Sequence, residues 1–410
     1  MATPQSVIHG TSRVPAALMP AAFLALAMLH VWELPRLAAS NGGFAFLGAW
    51  LLALLLLGLP LVLLELMLGK RARRAPLEGL AFLTREADAK RGWRFAAWGG
   101  AVAVFLAMAA MALVAGGSVN FLVRDLGIAG AAVTMASADG PALPLGTGTL
   151  LLLAAAFSLI NPLLRSRLQL GGLVLASALL LVAAIAGIGM AEVTYPSRAL
   201  TATDWREAVR LALLSLGSGL GVVWLAGMRL PKDAPLGRLA LGVLVLQSVF
   251  AVLLLLALAP FVAALQANAA GAGPDIVPTG PGVWVVLGSL LLTTVLALPQ
   301  VAEPVLLRLA ERGMGRLPAV VLVFMGVGLL AEAVWLFGHA TGVLALLMVL
   351  YLLLMLVLLC LSLFAGWGMK ISHARKELAL PAEGIYNLWR VAVRLGVPLA
   401  IAWVLLQPFV

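Results

Sequence analysis

Runs of about 20 consecutive apolar residues dominate this chain, and they constrain its fold more than any other feature. A helix that crosses the hydrocarbon core of a bilayer needs about 20 such residues. The sequence contains eleven segments of this kind, at about 15–39, 44–69, 95–123, 147–163, 169–190, 206–228, 237–265, 283–309, 317–338, 341–368 and 387–407. Charged residues make up only 11% of the chain, against about a quarter in soluble proteins. The sequence therefore predicts an all-α polytopic membrane protein with 11 transmembrane helices.

The positive charges predict how these helices are oriented. If the N-terminal tail 1–14 is cytoplasmic, 22 of the 27 Lys and Arg residues fall on the cytoplasmic side of the membrane. The positive-inside rule accounts for this distribution, so the net charge of +10 gives no reason to expect a nucleic-acid partner. The C-terminus is then predicted to be periplasmic. The amphipathic cytoplasmic stretch 370–386 predicts a short surface helix or loop.

Two of the apolar segments contain residues that interrupt helices. In the first segment Pro35 follows His30 and Glu33; proline removes a helical hydrogen bond, and intramembrane ionisable groups need a cavity or a partner. In the sixth segment three glycines alternate over 217–221, each weakening a helix by about 1 kcal/mol relative to Ala. The glycines alone would equally fit close helix packing. Paired breaks five segments apart favour instead two inverted repeats around a transporter binding site.

Residues 32–46 read Trp-Glu-Leu-Pro-Arg-Leu-Ala-Ala-Ser-Asn-Gly-Gly-Phe-Ala-Phe, and this stretch resembles the end of the first helix and the start of the second in the neurotransmitter:sodium symporter family. Weaker matches follow in the family's order at 57–61, 64–65, 69–70, 215–219, 303–304, 366–367, 387–389 and Pro398. The resemblance implies the leucine-transporter-type fold. It consists of a 5+5 inverted repeat, here 15–190 and 206–368, plus one peripheral helix at 387–410.

The resemblance also implies a secondary transporter in the bacterial inner membrane that moves an amino acid or similar small solute by alternating access. No catalytic motif accompanies it, so the chain is not expected to be an enzyme. The family's substrate site maps onto Ala25, Ala27, Met28, Leu29, His30, Met111, Leu213, Ser215, Leu216, Gly217, Ser218 and Gly219. No cofactor is predicted beyond a coupling ion, Na+ or H+. The expected partners are the small solute and the lipid bilayer.

The family's two sodium sites lack side-chain oxygens in this sequence. They map to Ala25, Leu26, His30, Leu213, Leu296 and Ala297, with Thr293 and Thr294 three residues too early. We therefore predict that sodium coupling is weakened or absent. His30 and Glu33 are candidates for carrying a proton instead, because histidine titrates near neutral pH. The alternative for His30 is a neutral side chain hydrogen-bonded to unwound backbone.

The family's outer-gate arginine corresponds to Glu33, and Arg210 lies near the outer part of the sixth segment. This predicts a charge-swapped gate between them, although Glu33 could instead pair with Arg36 or Arg206, or be solvated separately. Glu65 is predicted to accept hydrogen bonds from the backbone of the first or sixth helix. The lost ion ligands leave a second functional class open, in which the chain is a non-transporting homologue that acts as a sensor or a membrane partner subunit.

Overall fold

A computed structural model describes residues 30–125, 145–269 and 281–406 of the chain. Every regular element in these ranges is helical. The helices are α1 (His30–Ser40), α2 (Phe44–Ala72), α3 (Pro76–Glu86), α4 (Phe95–Asp125), α5 (Leu145–Leu159), α6 (Pro162–Thr194), α7 (Ala202–Leu214), α8 (Val222–Arg229), α9 (Leu236–Ala269), α10 (Pro281–Glu311), α11 (Arg316–Leu363), α12 (Ile371–Leu378) and α13 (Glu383–Leu406).

The helices agree with the predicted membrane segments. Within the described ranges, eight stretches of helix are long and apolar enough to cross a membrane. The other three predicted segments correspond to α1, to the short α5, and to the pair α7 and α8, which divide the sixth segment between them. The predicted surface helix in 370–386 is also present, as α12.

The ninth and tenth segments join without an intervening loop. Helix α11 has 48 residues, which would extend about 72 Å if it were straight. A Cβ atom on Gly342 would overlap the carbonyl oxygen of Val334, although a straight helix separates two such residues by about 12 Å. The helix therefore bends sharply at this point, and its two arms provide two separate membrane spans.

The predicted break near His30–Pro35 is wrong for the described residues, because α1 is helical from His30 to Ser40 with Pro35 inside it. Proline costs the helix one hydrogen bond. Pro35 and its neighbour Leu34 are both buried, so packing around this turn compensates for that loss. The predicted site residues Ala25, Leu26, Ala27, Met28 and Leu29 lie outside the described part of the chain.

Helix α2 runs beside both halves of the sixth segment, packing against α7 and α8. Small residues permit the closest part of this contact. A Cβ atom on Gly69 would overlap the carbonyl oxygen of Trp224, and one on Gly227 would overlap that of Leu66. Helix α8 is thereby held directly against the C-terminal part of α2.

Candidate functional site

The sixth segment is interrupted between α7 and α8, as the alternating glycines predict. Gly217, Gly219 and Gly221 have φ angles of 61°, 89° and 80°, in the left-handed region that glycine enters at little steric cost. Helix α7 ends at Leu214 and α8 begins at Val222. The glycines therefore serve the backbone conformation of the break, and close packing alone does not explain them. We call residues 215–221 the α7–α8 break.

Glu65 on α2 is hydrogen-bonded to this break. Its side chain is buried, with 1% of the residue exposed, and its Oε1 accepts a hydrogen bond of 2.5 Å from the backbone N–H of Gly219. The backbone N–H of Trp224, in the first turn of α8, also approaches the carboxylate. The predicted role of Glu65 as an acceptor for the sixth helix's backbone is confirmed.

A cavity of about 30 Å³ adjoins the break. Its walls come from α2, α3, α4, α8, α10 and α11, and its lining includes Glu65, Pro76, Gly100, Gly219, Trp224 and Pro304. Among the residues that line it, Glu65 carries the one ionisable side chain. The cavity is otherwise walled by hydrocarbon and backbone.

The predicted substrate residues are distributed unevenly around this cavity. Gly219 lines it. Met111, Leu213, Ser215, Leu216 and Ser218 are each at most 3% exposed and do not line it. His30 begins α1. Its role, like that of the whole predicted substrate site, stays a prediction.

Glu33 and Arg210 form an ion pair that joins α1 to α7. Tyr351 on α11 donates a hydrogen bond of 2.9 Å to the second oxygen of Glu33, and the Arg210 guanidinium carbon lies 5.4 Å from the centre of the Tyr351 ring. Arg210 Nε also donates to Glu207, at 2.7 Å. We call these four residues the Glu33 network. The predicted pairing is observed, in preference to Arg36 or Arg206, while a gating role for it stays a prediction.

A second ion-pair network lies at the other end of the sixth segment, around Glu303 on α10. Its carboxylate is 2.9 Å from Arg316, 3.7 Å from Arg165 and 3.8 Å from Arg229. The carbonyl oxygen of Ser158 accepts hydrogen bonds from Arg316 and Arg165. We call this the Glu303 network, and it links the starts of α6 and α11, the end of α8, and α10.

Sequence reasoning missed the second network and the contribution of Tyr351 to the first. Each had a signal in the sequence. Glu303 is an acid within an apolar segment, and Tyr351 is one of only three tyrosines in the chain. An intramembrane carboxylate implies a partner, but the sequence does not say which arginine is near.

Three of the predicted sodium positions are apolar and buried. Leu213, Leu296 and Ala297 are at most 5% exposed and bring no side-chain oxygen. The hydroxyl groups of Thr293 and Thr294 donate to the carbonyl of Leu290 in their own helix, at 2.9 and 2.8 Å. Hydroxyl groups bonded in this way satisfy the helix's own carbonyls.

Comparisons with known proteins agree with this architecture. A family model described as the sodium:neurotransmitter symporter family matches residues 16–84. Over 48 residues the chain is 46% identical to the sodium-dependent neutral amino acid transporter B(0)AT2 of Rattus norvegicus, which covers 12% of this chain and 7% of that protein. Over 106 residues it is 29% identical to the uncharacterized sodium-dependent transporter YhdH of Bacillus subtilis (strain 168), covering 26% of this chain and 23% of that one. These matches span less than a quarter of either relative's length.

A solved structure resembles almost the whole chain. The crystal structure of MhsT in complex with L-phenylalanine aligns with a TM-score of 0.77 at 22% identity, covering 97% of this chain and 99% of that chain. The predicted fold is thus confirmed, and so is the resemblance to the family, which is one of symporters and not of enzymes. The chain is a multi-pass membrane protein with the leucine-transporter-type fold, and in its first two helices its sequence resembles the sodium:neurotransmitter symporter family.

Proposed function

We propose that the chain is a secondary transporter that moves an amino acid or similar small solute across the membrane by alternating access. The observation that carries this proposal is the α7–α8 break between two separate ion-pair networks. Arg210 of α7 belongs to the Glu33 network and Arg229 of α8 to the Glu303 network. If a helix is broken between two ion-pair networks, one end of the protein can open while the other stays closed, and alternating access requires this.

The side chains at the predicted substrate positions support one class of solute. Met111, Leu213 and Leu216 are apolar and buried, which favours a small and mainly apolar solute. We place its carboxylate against backbone N–H groups of the first helix and a helix-end dipole, because helix N-termini attract anions. The relatives named as neutral amino acid transporters support the same class. We place the substrate site where the sequence predicts it, between the first helix and the break.

Sodium coupling is weakened or replaced by protons in this proposal. Leu213, Leu296 and Ala297 offer no oxygen to a cation that prefers oxygen ligands. Of the two proton candidates from the sequence, Glu33 has both carboxylate oxygens engaged, by Arg210 and Tyr351, so in this conformation it is an ion-pair partner. The proposal also keeps the predicted topology: a cytoplasmic tail 1–14, repeats 15–190 and 206–368, and 387–410 outside them, in a bacterial inner membrane.

Uptake by reconstituted protein tests this function. Liposomes containing the full chain are loaded with buffer, and entry of radiolabelled L-phenylalanine and L-leucine is followed under a sodium gradient, a matched choline gradient and a proton gradient. We expect uptake above that of protein-free liposomes, with the sodium gradient changing it by less than about fivefold, the low end of coupling between two ligands. A steep, saturable sodium dependence would refute weakened coupling. Binding without uptake under every gradient would favour the non-transporting homologue.

A further inference from the structure

One oxygen of the Glu65 carboxylate has no close hydrogen-bond partner among the described residues, although the backbone N–H of Trp224 approaches the carboxylate. Oε1 accepts from Gly219, whereas Oε2 is buried and unpaired. Burying a polar group without a partner is costly, and more so for an ionised one. This carboxylate therefore needs a further binding partner that the surrounding side chains do not supply.

Within residues 30–125, 145–269 and 281–406, no positive side chain forms an ion pair with Glu65 or lines its cavity. Several ionisable groups on the neighbouring elements form ion pairs or ring contacts elsewhere and do not line the cavity, among them Glu78, Glu86, Arg229, Arg308, Glu377 and Arg394. Glu65 thus differs from Glu33 and Glu303, which each contact at least one arginine.

The surroundings of Glu65 suit a proton better than a metal cation. A hard cation such as sodium takes several oxygen ligands, and among the side chains that line this cavity only Glu65 carries oxygen atoms. A proton needs only one carboxylate oxygen and an acceptor such as water, for which a cavity of about 30 Å³ is large enough. Burial favours the protonated acid, while the N–H of Gly219 and the N-terminal end of α8 favour the carboxylate.

We propose that Glu65 is a proton-binding site whose charge state controls the conformation of the α7–α8 break, and this inference rests on the transport function proposed above. The carboxylate takes one proton from water to become a neutral acid and later returns it. A carboxylate accepts the Gly219 hydrogen bond more strongly than a neutral acid does. Protonation therefore loosens the attachment of the break to α2, which couples proton binding to movement of α7 against α8.

Infrared difference spectroscopy of the full chain in lipid nanodiscs tests proton binding without any solute. Spectra at about pH 5 and about pH 9 bracket the ordinary range of a perturbed carboxyl group. We expect a protonated-carboxyl C=O band that titrates in the native chain, disappears in Glu65→Gln and persists in Glu332→Gln, a control at a half-buried acid on α11. In Glu65→Asp the band should remain but shift, which separates loss of the proton site from a failure to fold. A native chain without a titrating band, or a band unchanged in Glu65→Gln, would overturn the proposal.

Uptake of L-phenylalanine under a pH gradient then tests coupling. We expect the gradient to stimulate uptake by the native chain and by Glu332→Gln at least fivefold more than uptake by Glu65→Gln. Equal stimulation in all three proteins would refute coupling through Glu65. If the native chain takes up no L-phenylalanine at any pH, the proposed transport function fails for this solute, while the infrared band still decides whether Glu65 binds a proton.

Discussion

The Glu33 network predicts a specific effect of removing its arginine. Replacing Arg210 by Gln deletes the ion pair with Glu33 and leaves that carboxylate with Tyr351 alone. Because the pair joins α1 to α7, its loss should raise the population of molecules in which this end of the bundle is open. Ser215, completely buried five residues further along the chain, should then become accessible from this end.

The size of the effect follows from the geometry. The side chains of Arg210 and Glu33 are only 17% and 14% exposed, so solvent screens their interaction weakly. A hydrogen bond between charged groups contributes about 1.5–3 kcal/mol, which corresponds to roughly a tenfold to hundredfold change in an equilibrium constant. The open population should rise by the same factor.

Maleimide labelling of a cysteine at position 215 measures this population. The reporter is Ser215→Cys in a Cys360→Ala background, since Cys360 is the chain's one native cysteine, and labelling is followed in detergent. Glu207→Gln is the matched control: it removes the i,i+3 pair with Arg210, but because both residues lie on α7 this pair does not join α1 to α7, and the rate should change less than about threefold, or about 0.6 kcal/mol. Equal rates for Arg210→Gln and Glu207→Gln would refute the reasoning.

Three further predictions concern stability, each measured by thermal unfolding in detergent. Gly43→Ala should destabilise the protein by at least about 2 kcal/mol, because the φ of Gly43 is 60° and a Cβ atom there would overlap two backbone carbonyl groups. Gly48 is the control: it lies in a helix, and a Cβ atom there would have no neighbouring atom within 4 Å, so Gly48→Ala should stabilise the protein by up to about 1 kcal/mol. A loss of stability in Gly48→Ala as large as that in Gly43→Ala would contradict this account. Thr201→Ala should cost about 0.5–2 kcal/mol, because it removes half of a capping box with Asp204; an unchanged unfolding temperature would refute a role for this cap. Burial acts to raise the pKa of Asp204, but hydrogen bonds from Arg198 and Thr201 and the charge of Arg198 lower this pKa below its usual value. The stability that Asp204 contributes is therefore present above its ordinary pKa and is lost as the pH falls through its lower pKa in the folded protein. The difference in unfolding temperature between the native protein and Asp204→Asn should shrink on acidification, and a constant difference would argue against this account.

The sequence predicts those features of this fold that depend on neighbours along the chain. Apolar runs predict the spans, because one bilayer thickness sets their length. The alternating glycines of the sixth segment predict the break, because each favours a backbone angle that other residues avoid. The same local reasoning fails at Pro35. Proline weakens a helix, but the packing around Leu34 and Pro35 keeps α1 intact, and the sequence of neighbouring residues does not reveal this packing.

Contacts between distant segments were harder to predict. Glu33 and Arg210 were paired correctly because intramembrane charges need partners and few were available. Glu303 has three arginine partners that come from three different helices, at positions 165, 229 and 316, and no spacing in the sequence relates them. The sequence also does not predict the unpaired oxygen of Glu65, because it depends on which side chains fail to reach the cavity in the folded protein.

The position of Glu65 explains why one buried acid could influence both ends of the protein. Arg210 and Arg229 lie on opposite sides of the α7–α8 break and belong to different networks. A continuous helix would transmit any tilt at one end directly to the other, so both networks would be strained together. Across residues 215–221 the helical hydrogen bonds are interrupted, and the hydrogen bond from Gly219 to Glu65 anchors the junction to α2. In the proposed mechanism, a change of charge at this anchor would act at the joint between α7 and α8 and would let one network open while the other stays closed.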